Sequence, residues 1–399
     1  MVLLTKGEMF GIILSDKMTK RGLSMKLLNW VKSYFTPTEE ISPRTNNFNI
    51  IRFFAAFMVI YGHMSSIMGY DAFAILGQRV STIGVKILFT FSGYLITKSY
   101  LSDTHFGRYM IRRSFRIFPA FIVLILLTAL VGGPLLTSLS VGEYFGNPWT
   151  WRYIWSNLLF SPIYILPGVF TENAYPNAVN GSLWTLPFEF AMYLILPALL
   201  VLFKKLKSAR WGMFAMWAVS LAASLLLLVK YPWGGARLVI WGNNLPDALA
   251  LIPYFFIGSL FSFPEFKKLL NLQLAVLLLI VGVLALSNVW YSPIVASVFN
   301  ELVVSLVLPY FVLSLALTER PIFSKWFANS DFAYGLYLYG FVVQQAMYQL
   351  MAPTKLSVLE MTVVCFAVTL VFAIASWYLV EKPVQKLGQA WIRRLKREK

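Results

Sequence analysis

Ten stretches of this chain are each apolar enough, and about long enough, to cross a lipid bilayer, and no other feature limits its fold so severely. A spanning helix needs roughly 20 mostly apolar residues. Such runs occur at 47–68, 80–100, 116–133, 183–203, 211–229, 246–263, 270–288, 294–317, 332–351 and 357–380. Hydrocarbon offers no water to bond the backbone, so each run must satisfy its own amides as a helix. The sequence therefore predicts an all-α, polytopic membrane protein with about ten transmembrane helices. Composition excludes the soluble alternative: 58% of the 399 residues are hydrophobic and 13% are charged, against about 25% charged in soluble domains. No repeat of fixed period and no low-complexity tract interrupts the pattern. The expected organisation is a cytoplasmic N-terminal extension over 1–46, one membrane domain over 47–384 and a basic cytoplasmic tail over 385–399.

The 34 Lys and Arg outnumber 17 Asp and Glu, leaving a net charge of +17. In a soluble chain that would point to nucleic acid. With ten spans and a cytoplasmic N-terminus, 27 basic residues fall on the inner side and five on the outer, with Arg52 and Lys86 inside helices. This is the positive-inside asymmetry; it accounts for the charge, and no nucleic-acid motif accompanies it. One cysteine, Cys365, and two histidines, His63 and His105, leave no disulfide framework and no expected metal centre. The N-terminal apolar run is broken by Lys6, Glu8, Asp16 and Lys17, unlike a secretory signal. Residues 25–35 gather Leu27, Trp30, Val31, Tyr34 and Phe35 toward one face, the pattern of a helix lying on the inner membrane surface. A disordered extension, or a start at Met18 or Met25, is the alternative reading.

Ionisable groups inside a bilayer are costly, and each is a functional candidate. Arg52 and His63 share the first run, eleven residues apart. At about 100° and ~1.5 Å per residue they leave one face, ~16 Å apart along the axis. That face carries a fixed cation at one end and a titratable base at the other. Glu189 lies at a similar counted depth to His63, where a carboxylate would orient an imidazole acting as general base. Lys86 is counted to the same level, so a Glu189–Lys86 ion pair is the structural alternative. For His63 itself the alternative is a histidine hydrogen-bonding between helices.

Arg113 and Arg116 are neighbours on one helix face, and grouped guanidinium forks suit phosphate oxygens; an inner-interface anchor has the same appearance. Ser92 and Gly93 either admit a ligand or let two helices approach. The stretch 134–182 holds Trp149, Trp151, Tyr153, Trp155, Tyr164, Asn173, Tyr175, Asn177 and Asn180, a composition shared by sugar-binding surfaces and interfacial aromatic belts.

Several of these motifs, in this order, resemble the acyltransferase 3 family of integral membrane acyltransferases. The matching segments are the Arg52…His63 spacing, FSGYL at 91–95, RRSFRIFP at 112–119, SLWTLPFEF at 182–190, AYGLYLY at 333–339 and WYLVEKPV at 377–384. The resemblance implies ten spanning helices and transfer of an acetyl group from acetyl-CoA, as co-substrate, to a hydroxyl of a cell-envelope or exported polysaccharide or glycolipid. It further implies His63, Arg52 and Glu189 as catalytic residues and Arg113, Arg116, Ser92 and Gly93 as the donor site. Lys86, Ser182 and Trp184 are expected to meet the acceptor. Many members carry a His shortly after the YLY segment, where Gly340 stands here. No hydrolase-like soluble domain follows residue 384 in this sequence, so acceptor chemistry is expected of the membrane part alone. The implied location is a bacterial inner membrane, with the bilayer, a glycan or lipid-linked glycan and polysaccharide-assembly proteins as partners. A proton-coupled transporter using Arg52, His63, Lys86 and Glu189 is the main rival; it would favour paired, interrupted helices, which the sequence lacks. A non-catalytic scaffold is the third reading.

Overall fold

The computed structural model describes residues 47–231, 239–240, 243–287, 293–318 and 330–398. The expected surface helix at 25–35 and the basic residues of the extension lie outside them, as do Arg237, Arg320 and Lys325.

Helix α1, Phe48–Ile67, starts beside Asn47, whose side-chain amide donates to the Leu315 carbonyl (2.9 Å) and the Thr318 hydroxyl (3.1 Å). A short hairpin, β1 Ala74–Ile75 and β2 Gln78–Arg79, leads into α2, Val80–Ser102. Its two-residue turn, Leu76–Gly77, has positive φ at both positions (53° and 69°), the mirror-image turn that suits a tight hairpin. Helix α3 begins at Phe106, ten residues before the predicted span, and runs through Leu127 and a π-helical turn, Thr128–Gly132, to Leu136. The apolar scan missed its first turns because they carry Arg108, Arg112 and Arg113; they are helical but not apolar.

Two short helices, α4 (Val141–Gly146) and α5 (Pro148–Leu158), follow. The first is closed by a capping box between Ser140 and Glu143, which satisfies two otherwise orphaned amides. A 3-10 turn, Gly181–Thr185, then feeds α6, Leu186–Lys205, and α7 covers Ala209–Lys230. The span expected at 246–263 is two helices, α8 (Leu245–Leu249) and α9 (Ile252–Leu260). Pro246 and Pro253 each open one of them, since proline has no amide to continue a preceding helix. Beyond these come α10 (Leu272–Ser287), α11 (Pro293–Ala316), α12 (Ala333–Met351) and α13 (Val358–Ser376). Helix α13 passes through a π-helical turn, Trp377–Glu381, into α14, Lys382–Arg397. The expected basic tail is thus a helix through Arg397, with Gly388 packed on Phe115 and Trp391 meeting the Phe115 ring at 5.9 Å.

Among the described residues, seven helices are long and apolar enough to cross a membrane. The chain is a multi-pass, helical membrane protein. The three remaining predicted spans are also helical. Segments 245–260 and 272–286 are shorter, and α12 is rich in Tyr and Gln. Helix α12 tolerates that polarity because Ala333 through Phe341 are all buried in protein and present no face to lipid. Helix α2 is similarly central, 72% of its apolar window being inside the protein against 22% for α7. It lies against α1 and α9. A Cβ on Gly93 would collide with the Phe255 carbonyl, and one on Gly258 with the Thr90 carbonyl, so this pair of glycines lets α2 and α9 touch backbone to backbone. Gly93 therefore serves helix packing, while its neighbour Ser92 lines the narrow cavity.

Candidate active site

Two cavities lie end to end along the same elements. The narrow one, about 110 Å³, is lined by Arg52, Arg113, Arg116 and Glu189; the wide one, about 1260 Å³, is lined by His63, Lys86, Trp184 and Glu301. Four elements pass from one to the other. On α1 the order is Arg52 then His63, and on α12 it is Tyr337 then Phe341. On the 3-10 turn and α6 it is Trp184 then Thr185, and on α2 Val85 lines both. Eleven helical residues, ~16 Å, thus carry α1 from the arginine cavity to the histidine cavity.

The His63 imidazole faces the wide cavity and meets the Phe341 ring edge-on at 5.2 Å. Among the described residues nothing hydrogen-bonds to it. The interhelical hydrogen bond that was its structural alternative is absent there, and the ring nitrogens are left for a ligand. Tyr164 and Tyr175 line the same space. Asn173 and Asn180 do not reach it as free amides: Asn173 donates to Gln345 Oε1 (2.9 Å) and Asn180 to the Leu338 carbonyl (2.9 Å). They pin this segment to α12. Trp149, Trp151 and Trp155 are exposed, away from the cavity lining.

Lys86 does not pair with Glu189. Its ammonium donates to Glu301 (2.6 Å) and Gln78 (2.7 Å), and Glu301 also accepts from Tyr254 (2.9 Å) and Gln78 (2.9 Å). This buried pair joins α2, α9, α11 and the β1–β2 hairpin at the wall of the wide cavity. Glu301 was not singled out from the sequence, although a lone acid within the run 294–317 is a readable signal.

Glu189 sits in the narrow cavity, not beside His63. Its carboxylate accepts from the Tyr193 hydroxyl (2.5 Å) and the Ser92 hydroxyl (3.3 Å). Depth counting failed because the 3-10 turn before α6 is itself buried at Ser182, Leu183 and Thr185, so residue 183 does not mark a membrane surface. Tyr193 was missed too, though i,i+4 spacing places it over Glu189.

The two arginines expected to act together are held differently. Arg116 donates to Asp331 (2.6 Å) and Glu381 (3.3 Å), and Asp331 also binds Arg52. Asp331 lies outside the spanning helices; burial raises its pKa, but Arg116 and Arg52 outweigh that and hold the carboxyl below the usual range. Glu381 stands on the π-helical turn and also accepts from Ser376 (3.1 Å). Arg113 has no carboxylate partner among the described residues. It stacks over the Tyr193 ring at 5.9 Å, reaches Ser99 at 3.5 Å, and its buried Nε is unbonded. A half-buried guanidinium without a carboxylate partner there leaves Arg113 as the cavity's readiest anion ligand. Asp331 carries no sequence signal beyond preceding AYGLYLY, and Glu381 lies in the quoted WYLVEKPV segment.

Ser182 is buried and lines neither cavity; its carbonyl accepts from Tyr337 (3.2 Å). At Gly340 a Cβ would stand 3.0 Å from Ile60 Cγ1. Helix α1 fills that space.

The chain is similar to an O-acetyl transferase of Shigella phage Sf6, 26% identical over 85% of this chain and 96% of the relative. It is also similar to nodulation protein 10 of Rhizobium leguminosarum bv. viciae, 28% identical over 89% of this chain and 97% of that one. No solved structure matches. The family described as the acyltransferase domain matches residues 45–380, which takes in all four elements shared by the two cavities. Among the described residues His63 has no hydrogen-bond partner and Arg113 no carboxylate partner, and with the family matched over most of its length the chain belongs to the acyltransferase 3 family.

Proposed function

We propose that the protein is an O-acetyltransferase of a bacterial inner membrane, moving acetyl from cytosolic acetyl-CoA to a hydroxyl of an envelope or exported glycan or glycolipid. The observation that carries this reading is that α1 runs from the arginine cavity, which Arg113 lines, to His63, which has no hydrogen-bond partner among the described residues. The name of the phage Sf6 relative supports O-acetyl transfer, and the family supports acyl transfer. The narrow cavity, about 110 Å³, suits the thin arm of the donor with its nucleotide left at the basic face. The wide one, about 1260 Å³, exceeds the ~300–1,000 Å³ of usual small-molecule pockets and suits a glycan.

In the proposed step, a neutral His63 takes the proton of the acceptor hydroxyl as its oxygen attacks the thioester carbonyl. The new C–O bond forms, the C–S bond breaks, and the imidazolium returns the proton to the departing thiolate. Ten spans with both termini in the cytoplasm fit the basic asymmetry and three contacts between predicted inner ends, Asn47 with Ala316, Lys396 with Asp103 and Arg210 with Glu265. Mass spectrometry of envelope glycans from cells with and without the gene tests the reading: loss of one acetyl mass is expected, and an unchanged glycan profile refutes the proposed acceptor class.

A further inference from the structure

The two cavities are divided by a partition of few residues. Val85 borders both, and Thr185 and Tyr337 close the narrow side, joined hydroxyl to hydroxyl at 2.6 Å. Its neighbours hold it stiffly. A Cβ on Gly84 would lie 2.6 Å from the Ala55 carbonyl oxygen, so α1 and α2 are in near backbone contact one residue from Val85. A Cβ on Gly181 would lie 2.7 Å from the Phe341 ring, so the 3-10 turn is pressed on α12 in the same way. Val85 is buried, and a β-branched side chain in a helix has essentially one rotamer. Close-packed walls of this kind do not yield to an extra methylene without strain.

Resting on the function proposed above, we infer that Val85 determines which acyl group is transferred. Donor chemistry arrives from the arginine side and the base stands on the other, so the acyl carbon must sit at this partition when it reacts. Acetyl, with a single methyl, fits beside the two methyls of Val85; propionyl and butyryl run into them. Val85 thus selects the shortest acyl thioester by volume.

The test compares the full-length protein with Val85→Ala and Val85→Ile in native-like membranes. Acetyl-, propionyl- and butyryl-CoA serve as donors, glycan from cells lacking the gene serves as acceptor, and the acyl mass added is read directly. One methylene in a tight pocket is worth about 10- to 200-fold. Val85→Ala is expected to raise the propionyl-to-acetyl ratio about tenfold or more, and Val85→Ile to lower it. Ratios that stay within about twofold of the parent in both variants, with the parent active, would overturn the role of Val85 alone. A parent protein that transfers no acyl group from any of the three donors would overturn the functional reading and this inference together. Should Val85→Ala not accumulate, the ratio in Val85→Ile decides.

Discussion

Arg52 and His63 leave one face of α1 and open into different cavities, the arginine beside Asp331 and the histidine beside Phe341. The helix is therefore a rigid spacer between an ion cluster and a base. The cluster joins α1, α3, the start of α12 and the π-helical turn after α13 through Asp331 and Glu381. Whatever fixes Arg52 also fixes the height and rotation of His63.

Replacing His63 with Ala or Gln should reduce acyl transfer by about 10²–10⁴-fold, the usual worth of a positioned general base, at unchanged protein level in the membrane. Transfer to glycan in isolated membranes, with quantified protein, is the measurement. Full activity in both variants would remove His63 from the mechanism.

Arg113 and Arg116 should respond differently to truncation. Arg113→Ala removes a guanidinium with no carboxylate partner among the described residues, so the fold should survive while KM for the acyl donor rises about 10- to 100-fold, the loss of one charge-assisted contact. Arg116→Ala leaves Glu381 without its ion-pair partner and Asp331 with Arg52 alone, which costs about 3–5 kcal/mol. It should be seen first as a lower melting temperature in detergent. Equal KM effects with equal stability would contradict this division.

Lys86 and Glu301 form a closed pair, and a double-mutant cycle can tell pairing from substrate binding. Lys86→Met alone leaves a buried carboxylate and should destabilise by about 3–5 kcal/mol, whereas adding Glu301→Gln should restore much of that. If the double variant is stable yet has lost affinity for the acceptor, Lys86 also binds substrate.

Gly93→Ala should destabilise by about 1–3 kcal/mol, the cost of overpacking, because its Cβ meets the Phe255 backbone. Activity per folded molecule should change little. A stable Gly93→Ala with a raised donor KM would return this residue to the donor site.

Much of the architecture was legible in the residues, because the bilayer imposes a length and a polarity that can be counted. Most predicted spans fall on helices within a few residues, and the misplaced edges have local causes: the arginines opening α3 and the prolines dividing α8 from α9. The site was legible only as a set of expensive residues. Helical periodicity placed Arg52 and His63 on one face, since 100° steps need no tertiary information. Counting depth from span ends misplaced Glu189, because the turn before α6 is buried rather than superficial.

The sequence by itself determined that the chain is a helical membrane protein and that a cation and a base share one face of α1. Only the tertiary structure decided who partners whom: Lys86 with Glu301, Arg116 with Asp331 and Glu381, and Glu189 with Ser92. The reason is physical. Whether a residue is costly in hydrocarbon is a property of its own side chain, and can be read one position at a time. Whether that cost is met by a partner depends on residues 215 positions away for Lys86 and 265 for Arg116, which only the packing of helices brings together.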